Sequence, residues 1–311
     1  MEHFRRFRFG AQVAHASHGD WAATARQVEE FGYSTLLMPD HFDDQLAPVP
    51  ALTAAAAATT RLRVGSLVFD NDYRHPLVLA KESATLDVLS GGRFELGLGA
   101  GWQRSDYEQS GIACDRAATR IDRLAEALAV VKGLWAGGCF SYAGRHYTIT
   151  GHPGTPRPAQ RPHPPILVGG GGRRVLAVAG READIVSVNF DLRAGSVGSH
   201  IGASGTSEAT AQKLCWLREA AGPRFGDLEL SVTVFVAAIT GARHDVAAGI
   251  GRGFGLPAED VLGTPHFLLG TLDQMADDLV RRREELGFSY VVFSGGSWRE
   301  MAPLVARLAG T

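Results

Sequence analysis

Four short segments hold the residues best able to do chemistry. The first is Pro39-Asp40-His41-Phe42, which follows the apolar run 34–38. An imidazole exchanges its proton near neutral pH, so His41 is the leading acid/base candidate, and the adjacent Asp40 can orient it or bind a ligand. The second, Phe69-Asp70-Asn71-Asp72-Tyr73-Arg74-His75-Pro76, gathers acids, an amide, an arginine and a histidine just before a helix start. No two of them have the spacing of a helical metal-ligand pair, so helix capping and a polar cofactor edge are expected there rather than a metal. The third, Gly97-Leu-Gly-Ala-Gly-Trp102, lets backbone approach a ligand closely. The fourth, Gly169–Gly172 followed by Arg173-Arg174, offers backbone N–H groups and guanidinium at a helix N-terminus, which suits a phosphate.

All four lie at the ends of apolar runs. Strands are expected at 7–13, 34–38, 62–69, 93–98, 165–168, 183–189, 228–239 and 290–294. Nearly all are followed by helical spacing, as at 20–31, 48–60, 76–89, 117–135, 173–181, 207–221 and 272–286. Strands lacking inside–outside alternation belong to parallel sheets covered on both faces. Eight repeats of this unit predict an α/β fold, a (β/α)8 TIM barrel, over residues 1–311, with active-site residues at the C-terminal ends of the strands. Two insertions interrupt the rhythm, at 137–165, with a hairpin turning at Ala143-Gly144, and at 190–206, rich in Gly and Ser. Both are expected at the C-terminal face, the second as a loop over the site. The stretch 102–111 is polar and is expected to be irregular, which disfavours a dinucleotide-binding βαβ unit at 97–102.

Composition narrows the function classes. With 31 Lys+Arg against 33 Asp+Glu the net charge is -2, giving no global attraction to nucleic acid or to an anionic membrane. The three cysteines, Cys114, Cys139 and Cys215, are far apart and read as reduced thiols of a cytoplasmic protein. The opening Met1–Phe9 lacks an uninterrupted apolar stretch and is not expected to act as a secretory signal. No serine-hydrolase elbow, Walker motif or HExxH is present.

The runs from Arg61 to Pro76 and Ala84-Thr-Leu-Asp-Val-Leu-Ser-Gly-Gly-Arg-Phe-Glu-Leu-Gly-Leu-Gly-Ala-Gly-Trp102 resemble the bacterial luciferase-like flavin and deazaflavin oxidoreductases. Within that superfamily the chain is most similar to the branch that uses the deazaflavin coenzyme F420. The resemblance implies an F420-dependent hydride-transfer enzyme acting on a small organic substrate, with His41 catalytic. The alternatives are an FMN-dependent two-component monooxygenase, supplied by a separate flavin reductase, and a non-catalytic coenzyme-binding homologue. It further implies coenzyme contacts at Asp40, Asp70, Ala100, Gly101 and Ser105, and a phosphate turn at Gly171, Gly172, Arg174 and Val175. A non-proline cis peptide behind the coenzyme ring is implied at Leu67-Val68, and a homodimer is the expected assembly. Trp102 stands where the sugar-phosphate dehydrogenase of the branch has an acid, which implies a more apolar or planar substrate.

Overall fold

Residues 5–15 and 20–311 are described by the computed structural model, so the start of the Met1–Phe9 stretch lies outside the described residues. The strands in chain order are β1 (Arg8–Gln12), β2 (Thr35–Met38), β3 (Arg63–Ser66), β4 (Phe69–Asp70), β5 (Phe94–Gly99), β6 (Phe140–Ala143), β7 (Thr148–His152), β8 (Ile166–Gly170), β9 (Ile185–Val188), β10 (Glu229–Val234), β11 (Val236–Ile239), β12 (Phe267–Gly270) and β13 (Phe288–Ser294). The parallel order β3-β2-β1-β13-β10-β9-β8-β5 closes on itself through Val64 opposite Phe94, giving the eight-stranded barrel that the repeats predict. β4 continues the path of β3 after a cis peptide between Leu67 and Val68, and pairs with the C-terminal end of β5.

Burial follows from this closure. Leu37, Leu167, Ile185, Tyr290 and Val292 fill the barrel interior, with Leu67 and Val68 packed against them. The outward strand residues pack under the helix ring, where Leu124, Leu128, Val131 and Trp135 of the helix Ala117–Ala136 form the buried stripe that their spacing predicts. Asp20 caps the first helix by accepting from the Ala23 N–H at 2.8 Å. No helix among the described residues is long and apolar enough to cross a membrane.

Three expectations need correction. Residues 104–110 are a helix, not an irregular stretch; Asp106 and Tyr107 turn inward while their neighbours face water, so no apolar stripe advertises it. The run 228–239 is two strands, because the chain leaves the barrel after Val234 and β11 pairs with β12 in a separate two-stranded parallel sheet. The insertion 137–165 leaves and re-enters at the N-terminal end of the barrel. Its hairpin β6–β7 is present, and lies along the outer wall, where Glu126 accepts the backbone N–H groups of Arg145, His146 and Tyr147.

Candidate active site

The C-terminal ends of the strands surround a cavity of about 480 Å³. Asp40, His41, Leu67, Val68, Asp70, Ala100, Gly101, Trp102, Gly171, Gly172, Arg174 and Val175 all line it, so four separate sequence segments meet in one place. Ser105 does not: it is exposed on the helix Arg104–Ser110, just past the lining residues Trp102 and Gln103. The insertion 190–206 contributes Phe190, Asp191, Leu192 and Arg193, whereas no residue of 137–165 reaches the cavity.

His41 stands on the wall with a partner that the sequence did not suggest. Its Nδ1 lies 2.7 Å from Oδ2 of Asp106, a carboxylate that is itself buried. Tyr73 donates to the same oxygen at 3.0 Å, and Gln103 donates to the other at 2.8 Å. With its carboxylate fixed on both sides, Asp106 accepts a hydrogen bond from Nδ1–H and leaves Nε2, unpartnered among the described residues, as the acid/base position. The Trp102 ring meets the imidazole edge-on, with centroids 5.6 Å apart, and limits its rotation.

Asp40 is committed differently. Both its oxygens are engaged by the Arg74 guanidinium, and Oδ2 also accepts the Asp70 N–H at 3.1 Å. Asp40 thus joins the ends of β2 and β4 rather than orienting His41. Asp70 is buried at the cavity floor without an ion pair among the described residues. Loss of solvent, with the Asp72 and Asp40 charges close by, pushes its carboxyl up to about 7.

Of the cavity glycines Gly99, Gly101, Gly171 and Gly172, the first three are required by the protein's own packing, and only Gly172 faces open space. A Cβ on Gly99 would meet Val68 Cγ2 at 2.6 Å, and one on Gly101 would meet the Tyr107 hydroxyl at 1.9 Å. Gly171 is equally crowded, its Cβ position 2.1 Å from the Phe190 carbonyl, while Gly172 opens onto free space at the N-cap of the helix Arg173–Glu182. Arg173 and Arg174 flank this turn but reach Glu219 and Asp122 in exposed pairs. Such pairs are weak, so either guanidinium can turn to a bound anion at little cost. Arg120 adds a buried cation to the same wall.

The second insertion is folded over the mouth rather than open. It contains the short helix Ser199–Gly202, and its Gly195 carbonyl accepts the Arg104 N–H at 3.1 Å across the cavity rim. Lys213, buried on the next helix, donates to the carbonyls of Asn189 and Ser204 and so clamps both ends of the segment; burial pulls its ammonium down to about 8.

The profile of the luciferase-like monooxygenases matches residues 2–248. The chain belongs to this family. Among relatives, it is 34% identical over 165 residues to an F420-dependent glucose-6-phosphate dehydrogenase of Microbacterium testaceum, covering 50% of this chain and 48% of that protein. It is 32% identical over 142 residues to an FMNH2-dependent dimethylsulfone monooxygenase of Pseudomonas putida, covering 46% and 39%. The chain thus aligns with about half or less of these relatives' length. The fold matches that of the coenzyme F420 dependent tetrahydromethanopterin reductase of Methanopyrus kandleri, with a TM-score of 0.77, 20% identity, and coverage of 98% of this chain and 99% of that one.

Proposed function

We propose that this luciferase-like protein transfers a hydride between coenzyme F420 and a small, apolar or planar organic substrate. The observation that carries the reading is the His41–Asp106 pair, which leaves the imidazole Nε2 without a hydrogen-bond partner among the described residues, beside Trp102. Hydride transfer to or from an alcohol or carbonyl needs such a group for the accompanying proton. The residues present suit the coenzyme. Leu67, Val68, Asp40, Asp70, Ala100 and Gly101 line the cavity together and would hold the ring. Gly171, Gly172, Arg174 and Val175 would hold its phosphate, using the open helix N-terminus. When bound, the deazaflavin supplies the carbon that gives or takes the hydride. His41 moves the proton, Asp106 keeps the imidazole in the required tautomer, and the segment 190–206 screens the mouth from water.

An FMN-dependent monooxygenase fed by a separate reductase is the second reading, favoured by the nearly equal likeness to the dimethylsulfone enzyme. A homodimer in the cytoplasm belongs to either. Anaerobic assays of F420 redox change with a panel of small alcohols, ketones and aromatic carbonyls test the first reading. His41→Ala is expected to lower turnover by about 10²–10⁴-fold with coenzyme affinity little changed. Oxygen uptake that requires reduced FMN, with no F420 turnover, would replace the first reading by the second.

A further inference from the structure

Asp70 lines the cavity with Asp40 and lies close to Asp72, and of these three carboxyl groups it alone has no cation among the described residues. Asp40 is held by Arg74, and Asp72 by the Arg123 guanidinium at 2.8 Å. Asp70 faces Asp40 from the end of β2, Asp72, Tyr73 and Arg74 from its own segment, and Tyr107 from the helix 104–110. The Tyr107 hydroxyl lies 3.1 Å from Asp70 Oδ2 and 3.0 Å from Asp72 Oδ2. A phenol has one hydrogen, and burial beside these acids keeps it on the phenol by raising Tyr107 far above its ordinary range. That single hydrogen is shared between two acids, of which Asp72 is neutralised by Arg123 and Asp70 has no cation among the described residues. A proton on Asp70 is the arrangement that relieves this crowding of buried carboxyl groups. Asp70 is also pinned, its N–H donating to Asp40 and its Oδ1 accepting from the Asp72 N–H at 2.9 Å, which hold the carboxyl in place.

We propose that Asp70 holds a proton at mildly acidic pH, gives it up at mildly alkaline pH, and so acts as a charge gate on the cavity, accepting a ligand with negative charge on its buried part while neutral and repelling it once ionised. The gate rests on the coenzyme reading above; the proton does not. Bringing a full charge to the floor of a partly closed cavity is worth about a tenfold change in affinity for such a ligand at the effective dielectric of a protein site. Ionisation near pH 7, where burial places it, makes that change fall within the physiological range.

The test uses Asp70→Asn, which keeps the shape, accepts from the Asp72 N–H and can donate to Tyr107. First, infrared difference spectra of wild type minus variant, without coenzyme, should contain a protonated-carboxyl band at pH 6 that is gone by pH 8.5. Second, F420 and, separately, reduced FMN are titrated into both proteins at those pH values. The wild type should lose about tenfold more affinity than the variant, and the ligand's own titration cancels in that ratio. Absence of the band at pH 6 overturns the proton. A band with an unchanged affinity ratio overturns the gate. A band with no saturable binding of either coenzyme at any pH overturns the coenzyme reading and the gate together, and leaves the proton standing.

Discussion

The two ends of the barrel bury carboxylates in opposite ways. At the N-terminal end Glu95 lies inside the strand ring with Arg8 at 2.7 Å and Arg63 at 2.6 Å, and Arg8 also holds Glu229. Burial alone would raise Glu95, but the two guanidinium groups outweigh it and hold the carboxyl below its ordinary range. At the C-terminal end Asp70 is also buried, lacks such a pair among the described residues, and is pushed up to about 7. The same fold thus neutralises Glu95 at the end away from the cavity and leaves Asp70 without a cation among the described residues where a ligand would sit.

The pH dependences must therefore run in opposite senses. A carboxyl depressed by folding contributes stability above its unfolded value, which is lost as pH falls through the folded one. A carboxyl raised by folding costs stability, and the cost grows as pH rises from about 4 to about 7. Glu95→Gln leaves Arg63 and half of Arg8 uncompensated, and is expected to destabilise by about 3–5 kcal/mol at pH 7 in urea unfolding. The matching change at the other end, Asp70→Asn, is expected to stabilise by roughly 1–3 kcal/mol at pH 8, a gap that closes as pH falls toward 4. Equal signs for the two substitutions would break the contrast.

The phosphate turn provides a smaller and sharper test. Gly172 has φ -95° and ψ 151°, an extended N-cap with free space for a side chain. Aspartate is a favoured N-cap residue, so Gly172→Asp should leave the melting temperature equal or slightly higher. Its charge would nevertheless occupy the anion position, and coenzyme affinity should drop by about tenfold or more. Unchanged affinity would move the phosphate elsewhere. The neighbouring Gly171 cannot serve this purpose, because any Cβ there collides with backbone.

Much of the barrel is legible in the sequence because its strands are buried on both faces and its helices carry apolar stripes. β2 reads Thr-Leu-Leu-Met with all four residues buried, and such runs leave few alternatives. The helix 104–110 was hidden because it buries a charge and a phenol instead of aliphatic side chains. Asp106 was hidden with it: its partner His41 is 65 residues away, and only the closed barrel brings them together. The exit of β10 at Phe235 was equally invisible, since the apolar run continues unbroken into β11 and only the partner strand changes. The segments lining the cavity could be read from glycine, acid and histidine at strand ends. Which acid serves which base could not, because pairing is a property of the tertiary structure.

The most direct test of the coenzyme site is a fluorescence titration with F420 and FMN in both redox states, repeated in Trp102→Phe. Trp102 lines the cavity and touches His41, so it should report a ring bound there. The proposed function predicts saturable, F420-selective quenching that is largely lost in the variant. Saturable quenching by reduced FMN alone, or quenching by F420 that is identical without Trp102, would contradict it.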